Sequence, residues 1–434
     1  MNQASERSRV VIVGAGFGGL ATVRGLSSSG LDVLVIERNN YHTFSALLYQ
    51  VAAAELEPED ISYPVRTILR RIPNVCFLMD EVEDVDLASR IIRTPKREIP
   101  YDYLVLATGS ITRFYNIPGA AEYAFELKTL DQAIELRNHI LCSLELAVGE
   151  SNPETRRGLL TFVIVGGGPT GVEFAGALSE LMRGPIAKDY PSIDSGELRV
   201  ILVQAVESLL PEMPESLQLY VSGRMDRIGV EVHLRTTVTA VTEYAVHLQD
   251  GSVLPAATVI WAAGVEGGPL ARSLQIPAAR DGRILVSPSL QLDGHPEAYA
   301  IGDLAYWEHQ GRPLPFVAPA AIQQGASVAL NIMRQVNGQT PEAFEYVDKG
   351  SLATIGRMAA VAWIGGRRFK GWPAWILWLV VHIRNLIGFR NRLLVMVNWA
   401  WDLFLYERGV RLILPSESCA KRKDRKARAG FDKA

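Results

Sequence analysis

One short pattern occurs twice in this 434-residue chain, and it restricts the fold more than anything else in it. The first copy is VVIVGAGFGGLA, Val10–Ala21, and the second is VIVGGGPTGVEFAGA, Val163–Ala177. Each is a β-branched run that breaks into glycines and resumes with small and apolar residues. That spacing, G-x-G-x-x-G, predicts a buried strand, a tight turn and the start of a helix. The first glycine permits the turn and the second lets backbone approach a pyrophosphate. The third lets helix and strand pack, with phosphates at the helix N-terminus. Gly14, Gly16 and Gly19 occupy these places in one copy, and Gly166, Gly168 and Gly171 in the other. Two such loops predict two dinucleotides in one chain, and hence electrons passing between them.

The length suits two or three domains with ample core. The net charge of −3 conceals a split. From Gly366 onward there are 15 lysines and arginines against 5 acids, whereas the remainder carries 29 against 42. An acidic body with a basic end predicts an anionic surface as partner rather than nucleic acid. Six of the eight tryptophans fall between Trp363 and Trp401, in that same end. Cys76, Cys142 and Cys419 form no C-x-x-C, which excludes a structural zinc pattern; no metal site is expected. The start MNQASERSR has no apolar run of the kind a secretory signal needs.

Along the chain, Arg9–Val13 is expected as a buried strand, 18–29 as a helix and 31–36 as the second strand. Glu37 then falls where an acid accepts hydrogen bonds from a ribose. Within NNYHTFSALLYQVAAA, Gln50 either faces a flavin ring or caps the helix it opens. The strand ending at Thr108 and Gly109 is echoed by VIWAAG, ending at Gly264, so each half repeats the same order of parts. Segment 184–196 is expected to be a polar loop. Where the first unit has Glu37 the second has Gln204, which keeps a ribose partner but removes the repulsion of a 2′-phosphate. No arginine follows it in Ala205-Val206-Glu207. Asp303, in AYAIGDL, is placed to reach a flavin's ribityl or phosphate oxygens. In FVAPAAIQQGASVALN, Gln323 and Gln324 lie on neighbouring helical faces, so that at least one points inward, to a quinone carbonyl or a flavin edge.

The end of the chain raises a further expectation. WPAWILWLVV, from Trp372, is too short to span a bilayer, which takes about 20 apolar residues. Arg384, Gly388, Asn391 and Arg392 are expected on one helical side, and a second apolar stretch follows with Trp399, Trp401 and Phe404. Tryptophans and arginines around interrupted apolar helices suit an in-plane membrane anchor, with KRKDRKAR, Lys421–Arg428, adding attraction to anionic lipid.

Taken together, the chain resembles the type II NAD(P)H:quinone oxidoreductases. The matching stretches are VVIVGAGFGGL, NNYHTFSALLYQVAAAEL, YDYLVLATGS, FVIVGGGPTGVEFAGAL, VIWAAGV, AYAIGDLA, APAAIQQG, YVDKGSLATIGRMAAVA and the tryptophan-rich end through YERGVRLI. Two departures are Gln204, where the family's usual acid stands, and Ala46, where many members have proline. The resemblance implies an α/β protein of two Rossmann-like dinucleotide-binding domains plus a C-terminal helical membrane-anchoring region. The expected boundaries are 1–118 and 276–345 for FAD, 119–275 for NAD(P)H, and 346–434 for the anchor. It implies FAD on Gly14, Gly16, Gly19, Glu37, Thr108, Gly109 and Asp303, and NADH or NADPH at Gly166, Gly168 and Gly171. Ala15, Gln50, Gln204 and Gly264 complete the cofactor candidates. It places Glu173 where nicotinamide meets flavin, Lys349 of DKGS near the flavin end, and a membrane quinone near Gln323 and Gln324. The implied enzyme is a non-proton-pumping quinone reductase, homodimeric and peripheral on the cytoplasmic membrane face. A biosynthetic reductase preferring NADPH and a NADH-responsive redox sensor are the alternatives.

Overall fold

The computed structural model describes residues 7–309, 311–405 and 410–414. The basic run Lys421–Arg428 therefore lies outside the described residues, as does Cys419. Two compact units are each assembled from three separate stretches of chain. The first takes residues up to Thr43, then Ser62–Ile111 and Val265–Lys349; the second takes Phe44–Ile61, Thr112–Gly264 and the chain from Gly350.

The first unit is built on a six-stranded sheet. Its order is Gln291–Leu292, His295–Ala300, Tyr103–Leu106, Arg9–Val13, Asp32–Glu37 and Val75–Met79. All neighbours are parallel except the antiparallel edge pair Gln291–Leu292 and His295–Ala300. Strands covered on both faces need continuous apolar runs, which is why Val10–Val13 and Leu104–Leu106 lack alternation. Val11, Val13, Leu104, Leu106, Ala298 and Ala300 form the core on one side of this sheet. Helix Phe17–Gly25 packs against helix Ala318–Val336. The contact is close because Gly25 faces Ala329 and Gly325 faces the Gly18 carbonyl, where any Cβ would collide. The first helix ends four residues earlier than its composition predicts, because Ser28 and Gly30 take left-handed backbone.

The second unit contains a four-stranded, all-parallel sheet in the order Val230–His233, Arg199–Val203, Thr161–Val165 and Thr258–Trp261. Val163, Val165, Ile201, Val203, Val259 and Trp261 form its core with Val238 and Val246. Helix Pro169–Leu181 runs on through a π-turn, Met182–Ile186, into a last short helical turn at Ala187–Asp189. The expected loop thus starts later than predicted; the wide turn accommodates Pro185, which has no N–H to give.

After Gly350 the second unit gains an antiparallel sheet of Ser351–Thr354, Ala360–Ile364 and Arg367–Gly371. Helices Trp372–Asn385 and Phe389–Leu405 follow. Residues 386–388 break the expected single helical side of Arg384, Gly388, Asn391 and Arg392. Leu386 is extended and Gly388 has φ of 91°, so the arginines belong to two separate helices. Among the described residues, no helix is long and apolar enough to cross a membrane.

Candidate active site: two glycine cradles and a buried acid

In the first unit, four parallel strands deliver candidate residues to one sheet edge, beyond their carboxyl ends. Gly14 follows Val13 with φ of 107°, and a Cβ there would run into the Ala107 carbonyl. Gly19 lies against the Gly14 carbonyl just as closely, so helix and strand meet only because both are glycine. Gly16 differs: a Cβ built on it meets no atom within 4 Å. The neighbouring Ala15 N–H donates to Glu37 Oε2 at 2.9 Å, and Asn39 N–H donates to Oε1 at 3.2 Å. Glu37 thereby ties the loop down while keeping unused lone pairs. From the next strand come Thr108 and Gly109, the latter with φ of 74°. Ser110 Oγ donates to Asp303 Oδ2 at 2.7 Å, and Gly302 N–H donates to Gln324 Oε1 at 2.6 Å.

The second unit repeats this wiring with one substitution. Gly166 has φ of 112° and crowds Ala262, Gly171 crowds the Gly166 carbonyl, and Gly168 again faces no protein atom. Gly167 N–H donates to Gln204 Oε1 at 3.1 Å, as Ala15 does to Glu37. The Gln204 amide then donates to the Ser208 carbonyl at 3.2 Å. Gln204 therefore keeps the loop tie and surrenders the charge. Gly264 has a packing role here: its missing Cβ makes room for the Tyr115 hydroxyl, and its carbonyl accepts from Arg113 N–H.

Glu173, on helix Pro169–Leu181, is buried. Its Oε1 accepts from Thr354 N–H and from Trp378 Nε1, each at 3.2 Å. Burial pushes its carboxyl up to about 8; the two donors only partly oppose that, and Glu55 nearby adds to it. The group is consequently a neutral acid at pH 7. Gln50 belongs to this unit, inside helix Leu48–Ala52, and does not cap that helix. Its amide donates to Tyr49 Oη at 3.2 Å and accepts from Trp399 Nε1 at 2.9 Å. Tyr49 Oη also pairs with Thr354 Oγ1 at 3.1 Å. One cleft is lined by Tyr49, Gln50, Glu55, Glu173, Trp378 and Trp399 among others.

The two glutamines of the IQQG run have different surroundings. Gln324 is buried and committed to Gly302. Gln323 is half-buried; its amide donates to the Pro319 and Val347 carbonyls, and its oxygen accepts from Val347 N–H at 2.9 Å. Lys349 is exposed at the end of the first unit's last stretch.

Sequence reasoning missed His42, Tyr49, Thr354, Trp378 and Trp399. His42 is buried, donates from Nδ1 to the Ala15 carbonyl at 2.9 Å and leaves Nε2 without a partner among the described residues. Burial lowers its pKa, so Nε2 is a bare acceptor beside the first glycine loop. Only its place in the NNYHTF flank could have drawn notice.

Residues 8–325 match the family model described as pyridine nucleotide-disulphide oxidoreductase, and residues 349–408 match the NDH2 C-terminal domain. The type II NADH:quinone oxidoreductase Ndh of Mycobacterium tuberculosis is 37% identical, over 96% of this chain and 93% of its own. The chain belongs to the type II NADH:quinone oxidoreductase family. It is accordingly an oxidoreductase. The family's protein from Staphylococcus aureus is 32% identical, over 88% of this chain and 96% of its own. Among solved structures, NDH2 from Plasmodium falciparum in complex with NADH matches 94% of this chain and 100% of its own, with a TM-score of 0.86 at 21% identity. A sulfide:quinone oxidoreductase from Aquifex aeolicus shares the fold at a TM-score of 0.68, over 94% of this chain and 93% of its own.

Proposed function

We propose that the first unit holds FAD, that the second takes NADH or NADPH, and that the electrons pass on to a membrane quinone. The observation that carries this reading is the duplicated cradle, with the same loop tie made by Glu37 in one unit and Gln204 in the other. The donor set suits both groups. At Gly16 and Gly168 the helix N–H groups start beside room for a pyrophosphate. Glu37 retains acceptors for ribose hydroxyls, Asp303 lies with Ser110 at the same sheet edge, and His42 Nε2 offers a further acceptor. FAD held there would supply two-electron redox chemistry, linking hydride from the nucleotide to reduction of a quinone.

The chain's own residues position and supply protons. Glu173 holds a proton on its carboxyl at neutral pH, because its enclosed site disfavours the anion. Gln323, the half-buried member of its pair, is assigned to the quinone head group, and Gln324 to holding the Gly302–Asp303 turn. Lys349 is retained on the DKGS match. Trp372, Val380, Phe389, Trp401 and Phe404 are exposed on the last two helices, beside Arg384 and Arg390, which supports docking on an anionic lipid surface. The homodimer and the cytoplasmic face rest on the family resemblance.

A second reading, use of NADPH, is favoured by one specific observation. The sequence offered no arginine after Gln204, but the turn after the next strand supplies one. Arg235 donates its N–H to the Val206 carbonyl at 3.0 Å and its guanidinium to Glu207 Oε2 at 3.4 Å, both side chains being exposed. An exposed pair is weak and exchanges readily, so Arg235 is available to a 2′-phosphate. Steady-state kinetics with NADH and NADPH, using ubiquinone-, menaquinone- and plastoquinone-type acceptors, test both readings. Sustained turnover is expected; one reduction followed by a stall marks a sensor instead. Arg235→Gln is expected to lower kcat/KM for NADPH by about tenfold and leave NADH unchanged. An NADH preference above about a thousandfold in the unaltered enzyme overturns the relaxed-specificity reading.

A further inference from the structure

The helices that would meet lipid also reach Glu173, and by two routes. Trp378, on the first of them, donates directly to Glu173 Oε1. Trp399, on the second, donates to Gln50 Oε1; Gln50 donates to Tyr49 Oη; Tyr49 pairs with Thr354 Oγ1; and the Thr354 N–H donates to Glu173 Oε1. The two indoles also touch, with ring centroids 5.3 Å apart. Behind Trp378, His382 stacks at 3.9 Å and anchors its Nδ1 on the Trp378 carbonyl at 2.8 Å. Enclosure lowers the His382 pKa to about 4, so this support stays neutral.

We infer that Trp378 and Trp399 are positioning residues that set the proton affinity of Glu173, the indole N–H of the second acting through the Gln50–Tyr49–Thr354 chain. The inference rests on the reading of Glu173 as the proton-holding acid. Its physical content is simple. A donor aimed at a carboxylate stabilises the anion, so each donor held in place keeps Glu173 from becoming a still weaker acid. Trp399 fixes the Gln50 amide, which fixes the Tyr49 hydroxyl, which fixes the strand bearing the Thr354 N–H. The other titratable or charged groups lining this cleft are Glu55 from the Leu48–Ala52 side, Glu180 on the Glu173 helix, Arg357 from the antiparallel sheet and Asp402 from the last helix.

The consequence is that helices outside both glycine cradles control the chemistry. Whatever tilts Phe389–Leu405 changes the register of Trp399 on Gln50.

The test uses the full-length, flavin-loaded enzyme. The Glu173 titration is followed by infrared difference spectroscopy of its protonated carboxyl, assigned as the band missing in Glu173→Gln, and by the pH profile of kcat/KM. Trp399→Phe keeps the ring and loses only the N–H. It is expected to raise the midpoint by about half a pH unit, and Trp378→Phe by about one. Gln50→Leu should reproduce the Trp399→Phe shift, and the double variant should shift no further, as a single chain requires. Trp399 is half-buried, so its variant reports even where Trp378→Phe, at a fully buried site, folds poorly. A midpoint unmoved in Trp399→Phe overturns the inference, as do additive shifts in the double variant. If Glu173→Gln removes neither band nor limb, the Glu173 reading itself fails. If it removes both and the tryptophan variants change nothing, only the present inference fails.

Discussion

Glu173→Gln is expected to lower turnover at pH 7 by about a hundredfold and to erase the alkaline limb of the pH profile, with flavin content unchanged. Glutamine is nearly isosteric and keeps an oxygen for Thr354 N–H and Trp378 Nε1, so the fold has no reason to fail. What it lacks is a proton to give. The same variant carries a stability signature of opposite sense. The folded pKa, about 8, lies above the ordinary carboxyl value, so the native state binds the extra proton between the two. The stabilisation is fully present below the unfolded pKa and is lost as pH rises through 8. The limiting slope is about 1.4 kcal/mol per pH unit. Denaturant midpoints from pH 5 to 9 should therefore fall for the natural protein and stay flatter for Glu173→Gln, which becomes the more stable form at alkaline pH. Equal slopes for the two proteins would mean that Glu173 is ionised in the folded state.

Gly16→Ala is expected to give a folded protein with at least tenfold less bound flavin. Gly16 has φ of −73° and ψ of −166°, a backbone open to any residue, and its new methyl meets no protein atom within 4 Å. Folding should therefore change by no more than about 0.5 kcal/mol. The methyl nevertheless occupies the start of helix Phe17–Gly25, where a pyrophosphate would rest on N–H groups. Gly168→Ala is the counterpart in the second unit and should raise KM for NAD(P)H while flavin is retained. Gly19→Ala is the contrast: its methyl meets the Gly14 carbonyl, so it should damage the fold itself. Flavin absorbance and thermal midpoint on the three variants separate these effects. Full flavin in Gly16→Ala would place the pyrophosphate elsewhere.

The parts of the molecule legible from sequence were those with a local cause. The strand Arg9–Val13 and the turn at Gly14 follow from four apolar residues and a glycine with positive φ, all within one short run. Glu37 is similar, because strand length fixes its distance from the loop. The surroundings of Glu173 have no such local cause. Thr354 and Trp378 lie 181 and 205 positions away from it, and Trp399 lies 349 from Gln50. Periodicity cannot pair residues at those separations. Gln50 illustrates the limit: its two open readings were a flavin ring and the helix it opens, whereas its partner of longest reach is a tryptophan near the far end of the chain. Arg235 is not legible as a neighbour of Gln204 in sequence, because it is the pairing of adjacent parallel strands that brings the Val206 carbonyl to its N–H. The break at Gly388 is hidden because the spacing of Arg384, Gly388, Asn391 and Arg392 fits one helical side.

The order in which a ribosome releases this chain bears on the buried acid. Helix Pro169–Leu181 emerges long before Thr354 and Trp378 exist, and at about 5–20 residues per second the wait is roughly 10–40 s. Throughout that interval Glu173 lacks both of its donors and the segment that encloses it. Its proton arrives only when the stretch from Gly350 closes over it, so the last step of synthesis converts a charged nascent segment into an enclosed acid. A nonsense mutation between Gly264 and Gly350 would thus yield a chain with a complete second glycine loop and a Glu173 lacking the stretch that encloses it.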